Sequence, residues 1–308
     1  MARKCNLIVD SCCDLPYPML EREGVQIIQF PYVMSDGDHF DDMYQSISPQ
    51  DFFQAMRDGE EPSTSQISLP KLVDTFKEAV ADGMPAVFLC FSANMSGSYD
   101  VACMAADQVM ADVPGSEVLV ADTGLACFAE GLLVYEALRQ WNLGLTAREL
   151  KEWAEEARYY VNCRFMVDDL DSLVRGGRLP ALGGYLGSKL DVKPLITFST
   201  EGKLTMTGVV RGRKKAMKQM AEFFAKNLPA NEENPVVVIG HADCHPDLDK
   251  LRGLLSKQCP GATFIECNVG PVIGSHVGPG MMALVFWGED RRNDVSIADR
   301  IARRVKGN

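Results

Sequence analysis

No window of this 308-residue chain approaches 18 uninterrupted apolar residues, so no membrane-spanning helix is predicted. No stretch of 7–15 apolar residues follows the basic pair Arg3-Lys4, so no signal peptide is predicted either. The 10 cysteines include no Cys-x-x-Cys pair, and their spacing is irregular. With no export signal they read as reduced thiols of a cytoplasmic protein, Cys12-Cys13 among them. Positive charge is scarce: 31 Lys and Arg stand against 42 Asp and Glu, for a net charge of −11. That balance excludes the basic face a nucleic acid or an anionic membrane surface requires. An anionic ligand would therefore need local donors to overcome long-range repulsion.

Standard catalytic and nucleotide signatures are missing too. Gly187-Ser188-Lys189 has the wrong order and spacing for a phosphate loop, and Gly176-Gly177 and Gly183-Gly184 form no dinucleotide fingerprint behind a strand. Gly274-Ser275-His276-Val277-Gly278 carries the glycines of a nucleophile elbow but has histidine at its centre. Triads can be built without that motif, so a lipid hydrolase or acyl-transfer enzyme using Ser96 or Ser275 with His276 stays open. His241, Asp243, Cys244 and His245 offer metal donors within five residues, yet Pro246 follows and the segment reads as a loop leading into a helix. No metal site is expected. No internal repeat or low-complexity segment occurs.

What is present is an ordinary globular composition, 46% apolar and 24% charged, with enough length for two domains. Apolar runs at Cys5–Asp10, Val25–Met34, Ala86–Phe91 and Glu117–Asp122 predict strands. Helices alternate with them. Ser48-Pro49 is an N-cap signal, Ser68 a second one, and Thr146 to Glu149 a capping box. Buried strands alternating with helices predict an α/β domain with a largely parallel sheet over residues 1–160. Residues 161–308 read as a mixed α/β domain. Its predicted strands are Arg164–Asp169, Lys193–Ser199, Lys203–Arg211, Val236–Gly240 and Met281–Trp287. Its predicted helices run from about Arg213, Leu248 and Ser296.

Small hydroxyl residues beside glycine or a strand end mark the candidate site. They are Ser63-Thr64-Ser65-Gln66, Ser96-Gly97-Ser98 and the Gly274 to Gly280 segment around His276, a pattern that holds an anion by hydrogen bonds without transforming it. Arg175-Gly176-Gly177-Arg178 adds a guanidinium beside a tight bend. Arg211, Arg213, Lys214 and Lys215 form the densest basic cluster, either a solvated helix start or a docking patch for an acidic partner.

Taken in order, Asp10-Ser11, Thr64-Ser65-Gln66, Ser96-Gly97-Ser98-Tyr99, Asp122-Thr123, Gly176-Gly177-Arg178 and His276 to Gly280 resemble the DegV family along the whole chain. The resemblance implies a two-domain α/β protein with a long-chain fatty acid in a buried tunnel between its domains. It implies Thr64, Ser65 and Ser96, with Ser98 beside them, at the carboxylate, and Arg178 and His276 as the supporting network. It further implies a carrier and not an enzyme, with no cofactor beyond the fatty acid. A separate kinase partner would phosphorylate the bound acid and feed phospholipid synthesis. A lipid-sensing regulatory module is the third reading. Ser98, Asn94 and Cys127 depart from residues common in that family, which bears on chain selectivity.

Overall fold

The computed structural model describes residues 2–179 and 191–293. The helix predicted from Ser296 and the glycines at 183–184 and 187 lie outside them.

The first half opens with β1 (Asn6–Asp10), a 3-10 turn (Ser11–Cys13), α1 (Tyr17–Glu23), β2 (Gln26–Ile28), β3 (Pro31–Met34) and β4 (Gly37–Phe40). It continues through α2 (Pro49–Arg57), β5 (Ser63–Thr64), α3 (Leu69–Ala79), β6 (Ala86–Cys90), α4 (Ser98–Asp112), β7 (Val118–Asp122), α5 (Cys127–Asn142) and α6 (Ala147–Ala157). Strands β2-β1-β6-β7 form a wholly parallel sheet, and β6 is buried along its full length, as helices on both faces require.

The predicted strand Val25–Met34 is in fact two. Pro31 has no N–H to continue a ladder, and the Phe30 amide turns to the Ser11 hydroxyl at 3.1 Å. After that break, β3 pairs antiparallel with β4 and β5 in a separate three-stranded sheet.

The caps follow the sequence in part. The Ser48 Oγ accepts the Asp51 amide at 3.0 Å, and Thr146 and Glu149 close a reciprocal capping box. Ser68 occupies an N-cap position, but its side chain makes no capping bond.

The second half contains β8 (Val161–Met166), α7 (Asp171–Arg175), β9 (Val192–Phe198), β10 (Leu204–Arg211), α8 (Arg213–Asn227), β11 (Val236–His241), α9 (His245–Gln258), β12 (Thr263–Asn268), α10 (Pro271–Val277) and β13 (Met282–Trp287). A six-stranded mixed sheet runs β10-β9-β8-β13-β11-β12. Along β13 the side chains alternate between two cores: Met282, Leu284 and Phe286 pack beneath α8 and α9, while Ala283 and Val285 join the core shared with the first half.

Three of these elements are not evident in the sequence pattern, the five-residue α7 among them. Strand β12 is a half-exposed edge that pairs parallel to β11. Helix α10 carries a central glycine that its packing requires, since a Cβ on Gly274 would stand 2.8 Å from the Phe52 ring and 3.0 Å from Phe53.

Helix α5 lies between the sheets, packed against the turn after β1 on one side and β8, β11 and β13 on the other. We place the division between domains near residue 160, at the turn from α6 into β8. Among the described residues no helix is long and apolar enough to cross a membrane.

Gly240 on β11 shows how tight the α5 contact is, since a Cβ there would run into the Phe128 ring. Gly240→Ala should therefore cost about 1–3 kcal/mol by overpacking. Gly253 in α9 faces open space, and Gly253→Ala should add roughly 0.5–1 kcal/mol through helix propensity. Urea unfolding of the two variants checks both signs, and equal stabilities would show that α5 can retreat from the sheet.

Candidate functional site

A cavity of about 720 Å³, its mouth included, opens between the two sheets. Phe30 and Phe91 border it just past the carboxyl ends of β2 and β6, where ligands gather in open parallel sheets. The first turn of α5 contributes Cys127, Phe128 and Ala129, and the mixed sheet contributes Phe165, Phe198 and Leu204. Val272, Ile273 and Val277 of α10 complete an apolar wall.

One part of the wall is polar, and five predicted residues meet there: Thr64, Ser65, Ser96, Arg178 and His276. Thr64 is held in place by the pairing of β5 with Tyr32 of β3. Its Oγ1 lies 2.7 Å from His276 Nε2. Ser96 Oγ lies 2.9 Å from Ser98 Oγ and accepts the Ser98 amide at 3.2 Å. Ser98 itself is fully buried and outside the cavity wall, where its hydroxyl also accepts the Ile67 amide at 3.2 Å. It braces the two hydroxyl loops from behind.

Arg178 ties the loops together across the domains. Its Nε donates to the Met95 carbonyl at 3.2 Å and its NH1 to the Gly176 carbonyl at 2.6 Å. Among the described residues no carboxylate pairs with this half-buried guanidinium, and burial lowers its pKa. The hairpin between β9 and β10 adds two more ties, Ser92 Oγ to the Gly202 carbonyl at 2.8 Å and Asn94 Nδ2 to the Glu201 carbonyl at 2.7 Å.

Burial, with help from the nearby charges of Arg178 and Arg175, pushes the His276 imidazole down to about 4. It is neutral at pH 7, a hydrogen-bonding group and not a cation. Among the described residues its Nδ1 has no hydrogen-bond partner, and Gly176 comes so close that a Cβ there would run into it. The glycine is thus required by the imidazole, a reason the sequence could not supply.

The hydrolase geometry is not assembled. Ser275 is buried and donates to the Pro271 carbonyl at 2.7 Å within its own helix, and Ser96 bonds Ser98 and not the imidazole. The group beside His276 is a threonine, and among the described residues no carboxylate stands at Nδ1 to orient it.

Arg213 is half-buried and bonded to Asp168 at 2.8 Å and Asp247 at 2.6 Å, which takes it out of the basic cluster and leaves Arg211, Lys214 and Lys215 exposed. Among the described residues no group of three or more His, Cys, Asp or Glu is arranged to hold a metal ion. His241 Nδ1 instead accepts the Cys244 amide at 3.1 Å, and Asp243 pairs with Arg57. All ten cysteines are free. Asp122, one of the motif residues, caps its own turn by accepting the Gly124 and Ala93 amides at 2.9 and 3.1 Å.

Fold and cavity together define a two-domain α/β protein with a mostly apolar chamber between its sheets. The family model described as "Uncharacterised protein, DegV family" matches residues 4–289, and the chain belongs to that family. A DegV domain-containing protein of Clostridium perfringens is 30% identical over 289 residues, covering 94% of this chain and 99% of that one. The solved DegV family protein of Thermus thermophilus, described by its fatty acid binding, is 27% identical with a TM-score of 0.80, covering 94% of this chain and all of that one. A Thermotoga maritima structure said to reveal fatty acid binding function is 26% identical with a TM-score of 0.79 and the same coverage.

The depressed His276 pKa carries a sign that can be checked. The unfolded chain binds that proton more readily, so His276 contributes stability above about 6.5 that is lost as pH falls toward 4. NMR titration of the imidazole should give a midpoint near 4. A midpoint near 6.5 would show a solvated ring and a looser polar wall than the one described.

Proposed function

We propose that this protein binds a long-chain fatty acid in the cavity, with its carboxylate held by Thr64, Ser65 and Ser96 and supported by Arg178 and His276. The observation that carries this reading is Arg178: a half-buried guanidinium, without a carboxylate partner among the described residues, beside neutral hydroxyls and an otherwise apolar cavity. A fatty acid matches both halves. Each methylene buried against Phe30, Phe128, Phe165 or Phe198 contributes roughly 0.8 kcal/mol. Its carboxylate supplies the missing negative charge and accepts from the hydroxyls, which a buried carboxylate requires. The fatty acid binding described for the Thermus thermophilus and Thermotoga maritima structures supports the same reading.

Ser65 is exposed although it lines the cavity, which leaves the carboxylate end reachable. We propose that a separate kinase of a fatty acid kinase system phosphorylates the bound acid there, in the cytoplasm, and that the acyl phosphate feeds phospholipid synthesis. Arg211, Lys214 and Lys215 offer that partner three exposed cations. On this reading the protein carries the acid and performs no catalysis alone.

Two measurements test the binding. Mass spectrometry under native and then denaturing conditions should release a long-chain fatty acid at near-stoichiometric level. The variant Thr64→Ala with Ser96→Ala should bind oleate at least about tenfold more weakly, since a hydrogen bond to a charged group contributes roughly 1.5–3 kcal/mol. Unchanged affinity sinks the carboxylate assignment. A protein that is empty and takes up neither oleate nor palmitate sinks the fatty-acid reading itself.

A further inference from the structure

Behind the cavity wall lie four carboxyl groups that fatty-acid binding leaves unused. Asp10 and Asp14 flank the turn after β1, Asp41 follows β4, and Glu130 stands in the first turn of α5. None is more than 5% exposed. Among the described residues none of the four forms an ion pair, and the groups packed around them carry no positive charge. These are the thiols of Cys12, Cys13, Cys90, Cys127 and Cys267, the phenols of Tyr32 and Tyr44, and the carboxyls of Asp42 and Asp122. Among the described residues Asp14 Oδ2 and Asp41 Oδ2 have no hydrogen-bond partner, and the Glu130 carboxyl faces that of Asp10.

Two of the four meet the helix that carries His276. Asp14 Oδ1 accepts the amide of Gly270, the residue that opens α10, at 3.0 Å. A Cβ on Gly270 would stand 2.5 Å from Asp14 Oδ1 and 3.0 Å from Asp41 Oδ2, so both carboxyls converge on this one glycine. Tyr44 donates its hydroxyl to the neighbouring Val269 carbonyl. From Gly270 the helix runs only seven residues, and Val272, Ile273, His276 and Val277 all line the cavity.

We infer that Asp14 and Asp41 are positioning residues for the head-group site: they seat the start of α10 and, through that short helix, fix where the His276 imidazole meets Thr64. The inference rests on the reading of Thr64 and His276 as part of the carboxylate wall. Ionising either carboxyl places a charge beside the other with no cation at hand. Burial pushes Asp41 and Asp10 up to about 7 and raises Asp14 and Glu130 well above the carboxylate range. The folded protein therefore holds protons that the unfolded chain has released. The stability this gives is complete below the ordinary value of 3.8 and falls as pH rises through about 7. The segment free to give way is α10, which leans on both carboxyls.

The test compares the natural protein with Asp14→Asn, Asp41→Asn and the double variant from about pH 6 to about pH 9. Asparagine keeps an acceptor for the Gly270 amide and cannot ionise. His276 is already neutral over that range, and any titration of the fatty acid is common to all four proteins. The natural protein should lose at least about tenfold in oleate affinity as pH rises, the equivalent of one unit of difference in proton affinity. Its His276 imidazole resonance, followed without ligand, should shift with the same midpoint. The double asparagine variant should show neither change, and each single variant a smaller change than the natural protein. Identical pH profiles in the natural and variant proteins overturn the inference, and if the double variant fails to fold the single ones decide. Failure to bind oleate at any pH would instead strike the fatty-acid reading, while the His276 resonance of the ligand-free protein still judges the role of Asp14 and Asp41.

Discussion

One hydrogen bond, Thr64 to His276, spans 212 residues of sequence, and the polar wall depends on it. Thr64 hangs from a two-residue strand of the small antiparallel sheet, and His276 sits near the end of a seven-residue helix in the other half. Neither element is long enough to hold a fixed position alone. Each is placed by what it packs against: β5 by Tyr32 of β3, α10 by the Phe52 and Phe53 rings of α2 and by the Asp14 carboxyl. The site is therefore a property of the docked halves, and anything that separates them dissolves it.

What keeps the halves docked is a shared core and not a set of surface ties. Phe128 on α5 fits against Gly240 of the mixed sheet so closely that any side chain there would have to displace the ring, and the same ring lines the cavity. The cavity is thus walled by residues of the core that joins the two halves. Arg178 and the hairpin bonds from Ser92 and Asn94 then set the register of the polar loops around the opening.

Much of this is legible in the chain, because the signals are local. The parallel strands declare themselves as apolar runs, the Thr146 capping box by its spacing, and the hydroxyl loops by their glycines. The hidden parts depend on distant partners. Helix α10 contains a glycine that propensity counts against, and only the Phe52 and Phe53 rings explain it. Gly176 reads as a hinge for a guanidinium, yet its Cβ position belongs to the His276 ring. Pro31 is a visible strand breaker, but the apolar run continues across it, so one predicted strand conceals two sheets. Arg213 reads as part of an exposed cluster because Asp168 and Asp247, which neutralise it, lie 45 and 34 residues away.

The charge distribution shows how an acidic protein can host an anion. With a net charge of −11 it offers no long-range attraction to a carboxylate, so discrimination has to be local. Little positive charge stands at the polar wall, which consists of one guanidinium, a neutral imidazole and three hydroxyls. A stronger electropositive pocket would attract any small anion from solution. A weak one beside an apolar cavity favours only anions that bring a hydrocarbon chain, because burial of the chain supplies most of the free energy. On the proposed function, selectivity for an amphipathic acid comes from the modesty of the head-group site.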